Sequence, residues 1–219
     1  MTRSALTISA LIAGTALSAI SSADTANLTF AGLAYSGTLS GNVTFLDSVT
    51  NTNTTENVYI GKLLFQDGSS EFETVCADIG SIVDGSSHTY SVSYTNPLDG
   101  TNLSKAGDIV AADFNQANDA QSGAALQLAV WSALYNGGST FNANGSGFQV
   151  TGVSNSVLQQ AAAYYSDLNL NGSATYFSIA PGFGGQSQLT ITPAPEPASI
   201  AALGIGIAGL IARRRKARA

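Results

Sequence analysis

The chain has one cysteine, one histidine and one tryptophan in 219 residues. A single cysteine excludes an internal disulfide, and in an exported chain it leaves Cys76 either for an intermolecular bond or for reaction. Cys76 and His88 are too few for a Cys/His zinc site, so no metal and no cofactor is expected. Cations are scarce as well. Six of the eight lysines and arginines lie at the two ends, as Arg3, Arg213, Arg214, Arg215, Lys216 and Arg218. Between them only Lys62 and Lys105 stand against fourteen carboxylates, a net charge of −12 with no arginine at all. Nucleic acid is thereby excluded as a partner, because phosphate neutralisation needs Lys and Arg. The acids are scattered rather than clustered, which reads as a solvated surface that resists aggregation. There is no G-x-S-x-G, P-loop or H-E-x-x-H, and no repeat of twenty to fifty residues. A hydrolase pairing Cys76 with His88 would stand without any other catalytic signature, and the chain is not expected to be an enzyme.

What is present is concentrated first at the ends. Met1, Thr2 and Arg3 form a short basic start, Ser4 to Ile20 is apolar with small residues, and Ser21, Ser22 and Ala23 offer small residues to a signal peptidase. Residues 1–23 therefore read as a secretory signal peptide, cleaved after Ala23 and exported through Sec. The tail, residues 193–219, opens with Pro193, Pro195, Glu196 and Pro197, continues through an uncharged stretch at 198–212 and ends in a basic cluster at 213–218. Fifteen residues of helix cover only about 22 Å, short of the roughly 30 Å hydrocarbon core. A transient sorting helix with its basic end in the cytoplasm fits better than a permanent span. A plain C-terminal anchor is the alternative.

The order and spacing of Pro195-Glu196-Pro197, the apolar helix and the Arg213–Arg215 run resemble the PEP-CTERM sorting signal of Gram-negative bacteria. The resemblance covers only the tail. It implies an exosortase as processing partner, a membrane-held intermediate and a final place at the cell surface or in the extracellular matrix.

Residues 24–192 have the size of one domain. β-branched and aromatic runs bounded by turn residues predict strands at 28–35, 41–46, 58–65, 71–79 and 87–94, with Asp67-Gly68 joining a hairpin. Asn51 to Thr55 reads as loop. The period then changes. Leu126, Ala129, Val130, Ala133 and Leu134 predict a helix with one apolar face, capped by Asp119 or Ser122 and ended by Asn136-Gly137-Gly138. Helices are also predicted over Lys105–Gln116, capped by Ser104, and from Val157 to Leu168. Strands return at 147–153, 174–180 and 186–192. The fold class is α+β: a sheet or barrel built from both ends with a helical insert, flanked by a signal helix and a short transmembrane helix.

Gln127 is the oddity of the central helix, a polar residue beside an apolar stripe with Trp131 one turn on. A buried amide needs partners, and hydrogen bonding to a neighbouring strand's backbone would supply them. Cys76, in Thr74-Val75-Cys76-Ala77-Asp78, is the other oddity. Together with Leu126-Gln127-Leu128-Ala129-Val130-Trp131 it resembles the paired motifs of the Cys-Gln thioester domains of bacterial surface proteins. The resemblance spans about Leu64 to Asn136. It departs where Leu126 replaces a common Thr and Val75 a common Tyr or Phe. It implies an internal thioester between Cys76 and Gln127, open to a surface amine or a polysaccharide hydroxyl. Strand period would put Asp78 on the face of Cys76 to orient a nucleophile, and Trp131 would be a lid. Two other readings stay open: an inherited fold with an inert buried cysteine, giving a non-covalent structural or biofilm matrix protein, and coincidence. Ice binding is an outsider, since no regular Thr ladder on repeated strands is evident.

The tail reading predicts the end of the mature protein. The exported chain is expected to lack Arg213 to Arg218, cut near Pro195-Glu196-Pro197. Intact mass of the secreted protein checks this, and retention of the basic cluster in an exosortase-positive host would contradict it.

Overall fold

The computed structural model describes residues 24–37, 39–47, 51–167, 172–180 and 185–191. The predicted signal helix, the apolar tail helix and the basic cluster lie outside the described residues, as does Leu168. Among the described residues no helix is long and apolar enough to cross a membrane.

Among the described residues nine strands and three α-helices make an α+β domain. The strands are β1 (Asp24–Leu33), β2 (Leu39–Asp47), β3 (Thr52–Ile60), β4 (Leu63–Asp67), β5 (Ser70–Cys76), β6 (Ser87–Tyr94), β7 (Phe148–Thr151), β8 (Ala174–Ser178) and β9 (Gln188–Ile191). The helices are α1 (Asn102–Asp113), α2 (Ala120–Trp131) and α3 (Asn155–Ser166). Six strands close a barrel in the order β1-β4-β5-β9-β8-β6, and the remaining three form a separate sheet, β3-β2-β7. Every described strand pair is antiparallel.

Aromatic contacts show which face of the barrel strands points inward. Phe65 of β4 meets Tyr90 of β6 edge-on at 6.3 Å, across the intervening β1. Phe72 of β5 meets Phe177 of β8 at 5.6 Å, across β9. Contacts that skip a strand can only run through the interior. Side chains alternate along a strand, so Thr74 and Cys76 share the inward face with Phe72. Inside, Thr74 donates its hydroxyl to Gln188 Oε1 at 2.9 Å.

The predicted single strand over Val58 to Phe65 is two strands. The chain turns at Gly61-Lys62, so β3 belongs to the small sheet and β4 to the barrel. The predicted loop at Asn51 to Thr55 is mostly strand: Thr52 to Asn57 pair with Asp47 to Asn42 of β2. Composition suggested a loop, but cross-strand pairs stabilise this one. Thr44 and Thr55 hydroxyls meet at 2.7 Å, and Asn57 Nδ2 donates to Asn42 Oδ1 at 3.1 Å. Only Asn51 keeps a turn conformation, with φ of 53°.

The helices begin where capping residues place them. Asp119 caps α2, accepting from Ser122 N at 2.7 Å while Ser122 Oγ accepts from Asp119 N at 3.1 Å. The predicted Ser104 cap of α1 is Thr101 instead, three residues earlier, accepting from Ser104 N at 3.1 Å. Helix α2 was expected to bury one face. It is buried on every side from Ser122 to Trp131, because it lies between the barrel strand β5 on one hand and β2 and β3 on the other, with α1 and α3 alongside. A helix apolar all round is a core helix. Helix α1 packs on β8 and β9, and Gly107 permits close approach: a Cβ there would sit 2.1 Å from Thr95 Oγ1.

One buried acid sets a pH dependence. Asp113, at the end of α1, accepts from Gln116 Nε2 at 3.1 Å through Oδ1, while Oδ2 has no partner among the described residues. Burial, and then the nearby charge of Asp167, push its pKa up to about 7. The folded state then holds a proton that the unfolded chain has lost above its ordinary pKa of 3.8. Stability therefore falls as the pH rises from about 4 towards 7. Asp113→Asn is expected to raise the melting temperature by a few degrees at pH 8 and to leave it nearly unchanged at pH 4, measured by thermal melts at both values.

Candidate functional site

Strand β5 ends at Cys76. On one side Ala77 N–H still reaches Ser187 O at 2.8 Å, continuing the ladder to β9. On the other side the pairing with β4 stops at Leu63 opposite Thr74. The N–H and C=O of Cys76 on that side thus lie beyond their last strand partner. Gln127 fills the gap. Cys76 N donates to Gln127 Oε1 at 2.8 Å, and Gln127 Nε2 donates to Cys76 O at 2.8 Å. The reverse amide orientation would set donor against donor and acceptor against acceptor. Gln127 is 1% exposed and Cys76 3%.

The thiol lies just past the strand end. It donates to Asp78 O at 3.0 Å and accepts Asp78 N–H at 3.3 Å. Burial pushes its pKa far up, against the smaller opposing pulls of the Asp78 backbone and the Trp131 side chain. The resting group is a neutral thiol.

Asp78 touches the sulfur through its backbone, while the charge of its carboxylate adds to the upward push on the thiol. Because β5 ends at Cys76, the strand period expected to carry Asp78 onto the same face does not reach it. Its carboxylate instead accepts Gly80 N–H at 3.0 Å and the Ser81 hydroxyl, closing the turn after the strand. Trp131 is 2% exposed, packs against Phe148 with ring centres 6.1 Å apart, and its Nε1 has no hydrogen-bond partner among the described residues.

After Trp131 the helix widens into one π-turn, Ser132–Asn136, closed by Gly137 N to Ser132 O at 3.1 Å. Asn136 holds it open, since Oδ1 accepts from Gly147 N and Phe148 N while Nδ2 donates to Asn142 O and Phe148 O. This turn brings Tyr135 to the site, where its oxygen accepts Ile79 N–H at 3.0 Å. Burial and the neighbouring Cys76 push the Tyr135 pKa up.

Cys76, Gln127 and Trp131 line a cavity of about 370 Å³ together with Gln186. Among the described residues Glu56 is its only charged wall residue, and the exposed Leu33 and Ile82 also line it. Gln186 Nε2 ties the loop after β5, donating to Asp78 O at 2.7 Å and Ser81 O at 2.9 Å. His88 is engaged with Asp84 at 2.7 Å and is not among the cavity walls, so no Cys-His pair is assembled there. Among the described residues no cluster of three His, Cys, Asp or Glu could hold a metal.

Sequence reasoning missed Tyr135, Gln186, Gln188 and Glu56. The two glutamines carried a signal, because Gln186, Gln188 and Thr190 alternate along the strand predicted at 186–192, of which β9 forms Gln188–Ile191. Tyr135 carried none, since a π-turn has no simple sequence signature.

The Gln127 amide is expected to matter more to stability than the Cys76 thiol. Gln127→Leu strands a buried N–H and a buried C=O, at about 1–3 kcal/mol each. Cys76→Ala keeps both backbone groups paired and should cost only about 1–2 kcal/mol through the small void it leaves. Urea unfolding of the two variants checks the order.

The comparisons with known proteins bear on the tail. Residues 193–216 match the family model of the PEP-CTERM protein-sorting motif. No curated protein and no solved structure matches the chain. The tail motif marks an exported protein that passes through a membrane-anchored intermediate, is processed by an exosortase and ends at the cell surface.

Proposed function

We propose that this chain is a cell-surface or extracellular-matrix protein whose body joins covalently to a surface through an internal thioester between Cys76 and Gln127. The observation that carries the reading is the 2.8 Å hydrogen bond from Cys76 N–H to Gln127 Oε1. A nucleophile whose own peptide N–H holds the oxygen of the carbonyl it attacks is already docked on its target, and that N–H would stabilise the oxygen as it gains charge. Proximity lets a poor reaction proceed. Side chains stand roughly perpendicular to the plane of a strand's N–H and C=O groups, so the sulfur would approach the amide from its face.

The chemistry balances simply. The Cys76 sulfur bonds to Gln127 Cδ, the Cδ–Nε2 bond breaks, and the thiol proton leaves with nitrogen as ammonia. An amine or a sugar hydroxyl would later displace the sulfur, acylate through Gln127 and return a proton to Cys76. Burial at 3% and 1% exposure would keep water from the bond. Each molecule would react once, so the chain is a reactant rather than an enzyme. Adhesion or incorporation into a biofilm matrix is the role that follows.

One observation favours a second reading. Both polar atoms of the Gln127 amide are already satisfied by Cys76, which is also how a buried glutamine would tie a helix to a strand in a non-covalent matrix protein. Intact mass separates the two. A thioester-bearing chain is expected to be lighter by one ammonia, to add methylamine at Gln127 and then to show one free thiol, with all three effects lost in Cys76→Ala. Full mass and no methylamine addition would leave the static tie.

A further inference from the structure

The sulfur must carry negative charge whenever it attacks or leaves, yet burial makes a bare thiolate costly there. One donor already faces it, the Asp78 N–H at 3.3 Å. A second polar group beside it is unexplained. Trp131 Nε1 is buried and has no hydrogen-bond partner among the described residues. Such orphan donors are rare and destabilising. Trp131 lies one helical turn beyond Gln127, and its indole shares the cavity wall with Cys76 and Gln127. It therefore stands at the cavity in which the thioester reading would form its bond, with a donor that no acceptor among the described residues satisfies.

We propose that Trp131 is a catalytic residue of this acyl transfer. Its indole N–H and the Asp78 N–H form a two-donor pocket for the Cys76 sulfur in its charged state. This rests on the thioester reading and adds a role that a lid does not need, because a lid requires the ring's bulk and not its N–H. In aminolysis the amine nitrogen bonds to Gln127 Cδ, the Cδ–Sγ bond breaks, and the electron pair stays on sulfur. The two donors hold that pair until a proton from the amine neutralises it as a thiol. In thioester formation the same donors hold the sulfur as its proton passes to the departing ammonia. Asp78 is the charged group that acts on the sulfur, the sulfur in turn acts on Tyr135, and among the described residues Glu56 is the one charged group in the cavity wall.

Trp131→Phe in the full secreted protein keeps an aromatic ring and removes the donor, together with part of the ring's bulk. Because Trp131 is the only tryptophan, replacing all tryptophan by its benzothienyl analogue during synthesis exchanges the N–H for sulfur at this position alone, and serves if Trp131→Phe does not fold. The readout is the rate of methylamine addition by intact mass, compared with the natural chain at each pH so that methylamine ionisation cancels. The expected result is a rate at least about tenfold lower, in the benzothienyl chain without any fall in melting temperature, with the rise in rate displaced to higher pH; loss of one oxyanion donor costs about 10²–10³, and sulfur is a weaker acceptor. A natural chain lighter by ammonia, with an N–H-free variant reacting equally fast on the same pH profile, overturns the donor role and leaves the thioester. A natural chain of full mass that adds no methylamine overturns both.

Discussion

Two hydrogen bonds of 2.8 Å between one glutamine side chain and the peptide groups of one cysteine join the helical layer to the barrel. Helix α2 is buried on every side, so any polar group on it must find a partner inside the protein. Strand β5, for its part, runs past the end of β4 and leaves one N–H and one C=O unpaired. Each element supplies what the other lacks. The position of α2 sets the floor of the cavity, the spacing to Trp131, and through the π-turn the placement of Tyr135. The inward alternation of β5 then puts the thiol at the mouth of the barrel rather than in its aromatic interior.

Much of this was legible in the sequence, and the failures have physical causes. Strand β6 was read at Ser87–Tyr94 as it stands, because it is bounded by turns on both sides and alternates polar with apolar. The capping residues of α2 were readable because an N-cap is a local interaction. The split of Val58 to Phe65 into β3 and β4 was not, since an unbroken apolar run does not reveal a change of sheet. The Thr/Asn strand at 52–57 was missed because its stability comes from β2 across the ladder and not from its own composition. The juxtaposition of Cys76 with Gln127 entered only through the resemblance to a motif pair. Nothing in the spacing of two residues fifty-one apart reports contact. The strand face expected for Asp78 failed on a boundary: the strand ends two residues too early for its period to apply, and the carboxylate closes the following turn.

The lone cysteine of an exported chain carries a hazard that the fold removes. An accessible thiol outside the cytoplasm meets oxidants and other thiols. Cys76 is 3% exposed and strongly biased to its neutral form, and the thiolate is the reactive species. It is therefore shielded from intermolecular disulfide formation while remaining in contact with Gln127. The ends and the body divide the chain accordingly: the tail motif concerns where the protein goes, and on the proposed reading the cavity concerns what it meets there.

The two lysines of the body have a consequence of their own. Lys62 is 2% exposed, held by Glu73 Oε2 at 2.8 Å and Phe114 O at 2.7 Å, with its charge over the Phe114 ring. Lys105 is folded down onto the Tyr165 ring and donates to Gly138 O. Among the described residues both lysine amines are engaged by the protein, Lys62 buried and Lys105 half-buried. On the proposed thioester reading, the described bodies of molecules crowded on one surface would offer one another no unengaged lysine as a nucleophile. Scarcity of cations, which at first only excluded nucleic acid, would then also help to separate self from target.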